Sequence, residues 1–263
     1  MGMPTFQEKA TVQALEQLSP ENYRLTLHSP LIADTARPGQ FVMVSVGPGK
    51  DPLLRRPFSF HHVGPGGLIQ ILFKVVGRGT ELLSHMIEGG KLSILGPLGN
   101  GFVLDPRKNA CLVGGGMGIA PIRFLAEKLA HEKERKDDSI ILGGRNSEEL
   151  KSLVMDFDGL GAEVHLVTDD GTLGTHGVVT DVLVSLGLSS ESVLYCCGPK
   201  PMLFAVHKYA RDNGIRCQVS IESVMACGMG ACLGCSVPAA SGGYVHVCDD
   251  GPVFDANTLT WLI

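Results

Sequence analysis

Ala110-Cys111-Leu112-Val113-Gly114-Gly115-Gly116-Met117-Gly118-Ile119-Ala120-Pro121 reads as a buried strand that passes through a glycine turn into a helix. Behind it Ile122, Leu125, Ala126 and Leu129 recur at i, i+3, i+4 and i+7, which gives the helix one apolar face. A strand, a tight turn and an amphipathic helix open a βαβ unit. Further apolar runs at 139–142, 163–168 and 192–197 are separated by helical or polar stretches, so a parallel sheet covered on both faces is expected. The α/β domain is predicted over residues 105–220.

Upstream the rhythm is different. From Thr5 to Phe102 short β-type runs, such as Gln40 to Val46 and Leu68 to Val76, are cut by Gly and Pro, which predicts a small antiparallel barrel or sandwich over 1–104. Pro97, Gly99, Gly101, Asp105 and Pro106 punctuate the junction. Downstream, 221–263 is rich in Gly and Cys and has little periodicity, so it must be organised by something bound or by docking on its neighbours.

The chain has 263 residues, 44% hydrophobic and 19% charged, which fits a globular protein of more than one domain and not a disordered one. Lys plus Arg number 22 against 27 Asp plus Glu, a balance of −5 without the basic excess that binding nucleic acid requires. No stretch approaches the ~18 apolar residues of a membrane span, and a cytoplasmic protein is expected.

Of eight cysteines, Cys111, Cys196, Cys197 and Cys217 fall in apolar segments and read as small buried hydrophobes. Cys227, Cys232, Cys235 and Cys248 crowd into the last 37 residues with the spacing C-x4-C-x2-C-x12-C, which suits a 2Fe-2S cluster. Thiolates are soft anionic donors for iron. Gly228, Gly230 and Gly234 would let the backbone curl round the metal and aim N–H groups at sulfur. A zinc site or four reduced core cysteines are the plainer alternatives; zinc more often uses two C-x2-C knuckles, and core cysteines do not sit in glycine-rich loops.

Gly114, Gly115, Gly116 and Gly118 offer close backbone approach to a pyrophosphate, although a tight turn in any α/β domain would use them too. Two features favour a nucleotide. Cys197-Gly198-Pro199 follows another strand and gives a second turn at the same sheet edge, where open α/β sheets bind ligands. Asp169 and Asp170 follow the strand Val164 to Thr168, where carboxylates accept from ribose hydroxyls and repel a 2′-phosphate, so NAD is favoured over NADP. In the first domain Arg56-Pro57-Phe58-Ser59, read as lying near the end of a β-type run, combines an anion-pairing guanidinium, a flat ring and a hydroxyl suited to the N5 region of a flavin. Gly77-Arg78-Gly79-Thr80 precedes a short apolar helix, and the plain alternative for Thr80 is a helix cap.

In this order, Arg56 to Ser59, Gly79-Thr80, the glycine turn with Ala120-Pro121, Cys197-Gly198-Pro199 and the C-terminal cysteines resemble the ferredoxin-NADP reductase superfamily. The string Glu222 to Cys232 and the ending Val247 to Phe254 more closely resemble the electron-transfer subunits of NAD-dependent (class 1B) dihydroorotate dehydrogenases. The resemblance implies FAD on an N-terminal barrel and NAD on the α/β domain. It also implies a C-terminal 2Fe-2S cluster leading to an FMN-containing catalytic subunit in a heterotetramer of two of each, in pyrimidine biosynthesis. Carried over, it makes Arg56, Pro57, Phe58, Ser59, Leu72, Phe73, Lys74, Gly79 and Thr80 flavin contacts and the four clustered cysteines metal ligands. Phe58 stands where many superfamily members have Tyr, which keeps ring stacking without a phenolic hydroxyl. Glu222 is a candidate near the nicotinamide, or a surface carboxylate. The rival readings are the small subunit of an NADH-dependent ferredoxin:NADP oxidoreductase and, from another class, a zinc-dependent adaptor.

Overall fold

The computed structural model describes residues 4–47, 51–131 and 137–261. Its first half comprises β1 (Phe6–Gln17), β2 (Asn22–His28), α1 (Pro30–Thr35), β3 (Phe41–Val44), β4 (Arg56–Gly64), β5 (Leu68–Lys74), α2 (Arg78–Leu83) and β6 (Lys91–Leu98). The six strands close into an antiparallel barrel in the order β1-β2-β5-β4-β3-β6. Closure, and so a barrel in place of a sandwich, follows from β1 pairing with β2 along one edge and with β6 along the other. Alternation does the sorting: Ile69, Ile71 and Phe73 join Leu25, Leu27 and Phe60 in the barrel core, while Leu72 turns to a second core. Phe60 is fully buried and meets the ring of Phe124 edge-on at 6.3 Å, so the barrel's core continues into the next domain.

The α/β half follows as β7 (Asn109–Gly115), α3 (Ile119–Ala130), β8 (Ser139–Gly144), α4 (Ser147–Val154), β9 (Glu163–Thr168), β10 (Thr175–His176), α5 (Val179–Leu186), β11 (Ser192–Cys197), α6 (Lys200–Asp212) and β12 (Arg216–Ser220). These strands are parallel, in the order β10-β9-β8-β7-β11-β12. Successive residues of β7 point to opposite faces. Ala110 and Leu112 pack with α3 and α4, whereas Cys111 and Val113 pack with α5 and α6. Ile122, Leu125, Ala126 and Leu129 are all buried, as their spacing predicts. Cys111, Cys196 and Cys217 are buried in the same layers, and burial pushes the thiols of Cys111 and Cys217 up to about 12, so they act as neutral packing groups.

The C-terminal segment adds a hairpin of β13 (Ser236–Pro238) and β14 (Tyr244–His246), then β15 (Val253–Asp255). β15 pairs antiparallel with β12 and becomes the edge strand of the large sheet. The segment therefore docks through backbone pairing as well as side chains. Asn100, just after the barrel, donates from Nδ2 to the carbonyls of Asp249 and Asp250 at 2.9 and 3.0 Å. Trp261 stacks on His207 of α6 at 5.4 Å and donates from Nε1 to the Ala256 carbonyl.

A polar seam joins the barrel to the α/β half. His61 and His62 on β4 face Arg123 and Glu127 on α3 and Asp156 in the turn after α4. The Asp156 carboxylate lies 3.0 Å from His61 Nε2 and pairs with Arg24, while Arg123 Nε donates to the Asp156 carbonyl at 3.2 Å. Beside it His62 Nδ1 lies 2.8 Å from Glu127 Oε2, and Glu127 also pairs with Arg123. Burial holds His61 neutral by pushing its pKa down. Burial alone would raise Asp156, but the bond to His61 and the nearby Arg24 outweigh it and hold the carboxyl below its ordinary range.

Candidate functional site

A cleft of about 530 Å³ opens between the barrel and the large sheet. All nine barrel residues expected to meet a flavin line it: Arg56, Pro57, Phe58, Ser59, Leu72, Phe73, Lys74, Gly79 and Thr80. Arg56-Pro57-Phe58-Ser59 opens β4 and does not lie near the end of a strand; Pro57 fits the first turns of the pairing with β3, where Met43 opposes it. The Phe58 ring is 6.0 Å from that of Phe73 and tilted by 55°, so one face of the cleft wall is aromatic. A β-carbon at Gly79 would stand 2.8 Å from Arg56 Nε, so the guanidinium packs closely on the start of α2. Thr80 is the third residue of α2 and not its N-cap, which is Gly77, but its side chain does hold that start together. Its hydroxyl accepts from the Val76 N–H at 2.9 Å and from the Gly77 N–H at 3.3 Å, and donates to the Gly77 carbonyl.

The opposite wall comes from the carboxyl edge of the sheet. Cys197 ends β11, Ser220 ends β12, and Glu222 follows it; all three line the cleft. Burial pushes the Cys197 thiol up to about 12, with the Glu222 carboxylate adding to the effect and a bond to Ser220 opposing it. Glu222 is exposed at the cleft, and its partial enclosure by the protein raises its carboxyl above the ordinary value. A carboxyl, a hydroxyl and a thiol thus line the same cleft as Ser59.

The glycine turn lies at the topological switch point, where the strand order departs from β7 in both directions. Its glycines divide by role. β-Carbons at Gly115 and Gly198 would collide with Met202 at 2.5 and 2.4 Å, and one at Gly118 would collide with the Cys197 carbonyl, so these three serve the contact between the two turns. Gly114 packs on Ile119. Gly116 alone of the four in the turn has open space around it, with φ of +54°. The cleft takes in Cys197 but not Gly114, Gly115, Gly116, Gly118, Gly198 or Pro199. Asp169 and Asp170 are exposed at the end of β9, outside the cleft. Asp170 is engaged in its own turn, accepting from Thr172 N at 2.9 Å and Thr172 Oγ1 at 2.6 Å.

The cysteine loop leans on the barrel, with Gly228 so near Met43 that a β-carbon would come within 2.5 Å of its Cγ. Gly228 and Gly230 have φ of +77° and +75°, and Leu233 shares that left-handed backbone at +58°. Backbone N–H groups point at sulfur: Met229 and Cys232 donate to Cys227 Sγ at 3.5 and 3.4 Å, Gly230 to Cys248 Sγ at 3.1 Å, and Cys248 to Cys235 Sγ at 3.4 Å. Burial works against a charge on Cys227, but these donors prevail and bring its thiol down to about 6, a ready thiolate. Cys235 and Cys248 touch at 3.3 Å between sulfurs. Cys232 meets Cys227 Sγ through its backbone N–H. Among the described residues no three His, Cys, Asp or Glu side chains converge on a single metal position. Backbone N–H donors on the sulfurs of Cys227, Cys235 and Cys248 suit an anionic 2Fe-2S cluster, whose potential such bonds tune.

Two features of the site were not singled out from sequence. Ser220 and Met225 line the cleft without belonging to a nucleotide-binding motif, although Ser220 ends an apolar strand at the sheet edge where ligands bind. Met117, inside the glycine turn, also lines it.

Residues 222–260 match the family model for the iron-sulfur cluster binding domain of dihydroorotate dehydrogenase B, and residues 112–208 match that for the oxidoreductase NAD-binding domain. The chain is 38% identical over 260 residues to the dihydroorotate dehydrogenase B (NAD(+)) electron transfer subunit of Desulforamulus reducens, covering 96% of this chain and 97% of that one. It is 40% identical to the same subunit of Geobacillus thermodenitrificans over 95% and 97% of the two chains. Among solved structures, that of an NADH-dependent reduced ferredoxin-NADP oxidoreductase superposes with a TM-score of 0.86 at 29% identity, over 99% of this chain and 92% of that one. A ferredoxin NADP+ reductase from Neisseria gonorrhoeae with bound FAD and NADP shares the fold at a TM-score of 0.66 and 17% identity, over 79% of this chain and 92% of that one. With its barrel, parallel sheet and clustered cysteines matched along nearly its whole length, the chain belongs to the family of dihydroorotate dehydrogenase B (NAD(+)) electron transfer subunits.

Proposed function

We propose that this chain carries electrons from a dihydroorotate-oxidising, FMN-containing catalytic subunit, through a 2Fe-2S cluster and FAD, to NAD+, in pyrimidine biosynthesis. The observation that carries the reading is the single cleft in which the Arg56–Ser59 side of the barrel faces Cys197 and Glu222, with the cysteine loop packed on the same barrel through Gly228 and Met43. Bound FAD supplies the exchange between single electrons from a cluster and the hydride that NAD+ accepts. Arg56 pairs with flavin-nucleotide phosphate, Phe58 packs on the ring, and Ser59 hydrogen-bonds near its reactive nitrogen. Cys197 and Glu222 border the place for the nicotinamide, and the glycine turn and Asp169 lead toward the adenosine. Cys227, Cys232, Cys235 and Cys248 hold the cluster, with N–H donors already directed at their sulfurs.

The partner is a separate catalytic subunit, two of each forming a heterotetramer in the cytoplasm; no helix among the described residues is long and apolar enough to cross a membrane. A second reading, the small subunit of an NADH-dependent ferredoxin:NADP oxidoreductase, is favoured by the superposition over 99% of the chain. The higher identity to the dihydroorotate dehydrogenase subunits ranks it second. The C-x4-C-x2-C-x12-C spacing, which lacks the two C-x2-C knuckles zinc more often uses, and the match of residues 222–260 to an iron-sulfur cluster binding domain argue against a zinc adaptor.

Anaerobic titration of the purified chain with NADH, followed in the visible spectrum, tests the wiring. Bleaching of flavin and cluster bands by NADH, and by dihydroorotate only when the catalytic subunit is added, is expected. A colourless preparation with stoichiometric zinc would overturn the proposal, and coupling to ferredoxin and NADP(H) in place of dihydroorotate would install the second reading.

A further inference from the structure

Arg145 stands just past the carboxyl end of β8, beside the Asp169–Asp170 turn at the end of β9. The two turns are tied by their backbones, with Asp169 N donating to Gly144 O at 3.1 Å and Asp170 N to Arg145 O at 3.3 Å. A guanidinium at such an edge is well suited to a 2′-phosphate, because its planar fork matches phosphate oxygens. Here the fork is already taken. Arg145 Nε donates to Glu149 Oε1 at 2.7 Å, its Nη2 pairs with the same oxygen, and its backbone N–H donates to Glu149 Oε2 at 2.9 Å.

Glu149 is the fixed member of the pair. It sits in the first turn of α4, where Asn146 Oδ1 accepts from its N–H at 3.2 Å, and its side chain is 19% exposed against 66% for Arg145. Lys74 and Glu21 of the barrel, paired at 2.9 Å, come near enough to act electrostatically on Glu149 and Arg145.

We propose that Glu149 is a positioning residue for dinucleotide specificity: by neutralising Arg145 and occupying its fork, it denies a 2′-phosphate its receptor and sets NAD(H) over NADP(H). The inference rests on the proposed placing of the adenosine ribose at Asp169. A 2′-phosphate arriving there would face the carboxylates of Glu149, Asp169 and Asp170, with the Arg145 fork already engaged by Glu149.

The test compares 2′,5′-ADP with 5′-AMP as competitors of NADH on the flavin- and cluster-loaded protein, and as ligands in titration calorimetry, which does not depend on turnover. Glu149→Gln is expected to tighten 2′,5′-ADP about fivefold or more, the scale of one charge-assisted contact at an exposed site, with 5′-AMP unchanged. Adding Arg145→Ala should abolish that gain, and Glu149→Asp should restore discrimination in part. If Asp169→Asn tightens 2′,5′-ADP but Glu149→Gln does not, the ribose placing stands and the role of Glu149 is overturned. If neither variant moves either nucleotide, the adenosine does not bind at this edge and the inference falls together with that placing.

Discussion

A β-carbon on Gly118 would stand 2.3 Å from the carbonyl oxygen of Cys197, so the turns that end β7 and β11 are in backbone contact. That contact holds Cys197 at the cleft and fixes the start of α3 against the neighbouring strand. Gly118→Ala must therefore separate the two turns, whereas Gly116→Ala meets nothing within 4 Å and pays only for a left-handed alanine, about 1–2 kcal/mol. Thermal unfolding of the two variants is expected to show the larger loss for Gly118→Ala, with impaired reduction by NADH. Equal shifts would mean that the turns part without cost.

The seam between the domains makes a prediction about acid. His61 is fully buried, and its pKa in the folded protein is pushed below the unfolded value, so the unfolded chain takes up the proton first as pH falls. The stability it confers is complete above about pH 6.5 and is lost as pH drops from there toward the folded pKa. Burial lowers His207 in the same direction, so the wild-type slope contains both. His61→Asn is expected to flatten the dependence of the urea midpoint between pH 7.5 and 5.5 without abolishing it. Asp156→Asn, which leaves Arg24 without its buried partner, should cost roughly 3 kcal/mol at pH 7.5. Unchanged slopes in both variants would show that the seam does not open on unfolding.

The Glu222 carboxyl, raised by desolvation, keeps its proton at a higher pH than an ordinary glutamate. A hydride-transfer rate that depends on it should show a step above about pH 4.5, and Glu222→Gln, a permanent mimic of the protonated form, should lack that step. Stopped-flow reduction by NADH across pH 5 to 8 reads it directly. A step that survives in the variant assigns the titration to another group.

The elements with a strong period were legible in the sequence. The spacing of Ile122, Leu125, Ala126 and Leu129 and the continuous run of β11 carry their burial in local order, whereas in β9 only Val167 and Thr168 are buried. The glycine turn was legible as a turn, but which glycines face open space and which face Met202 depends on α6, more than eighty residues away. The same holds for Ser220 and for the pairing of Asp156 with His61, both set by long-range packing and marked by no local pattern. The C-terminal segment read as a loop because β15 is three residues long and takes its identity as a strand from β12. Cysteine spacing pointed to a candidate ligand set, and the fold adds the N–H groups aimed at its sulfurs.

Gly230 links backbone geometry to cluster energetics. Its φ of +75° directs its N–H to Cys248 Sγ at 3.1 Å, and a β-carbon there would stand 2.9 Å from the Asp249 carboxylate. An alanine there is strained by the left-handed backbone and crowded by the Asp249 carboxylate, which is expected to draw the N–H off the sulfur while leaving all four thiolates in place. An N–H···S bond favours the more negative, reduced cluster, so its loss should lower the reduction potential. One hydrogen bond of ~1 kcal/mol corresponds to a shift on the order of 40 mV for a one-electron couple. A redox titration followed by electron paramagnetic resonance of Gly230→Ala is expected to find that shift, with the cluster retained. Gly234→Ala is the control, because its β-carbon would make only ordinary contact, 3.6 Å from Cys232 Sγ. If both variants leave the potential unchanged, the Gly230 N–H does not tune the cluster, and the left-handed turn serves the path of the chain alone.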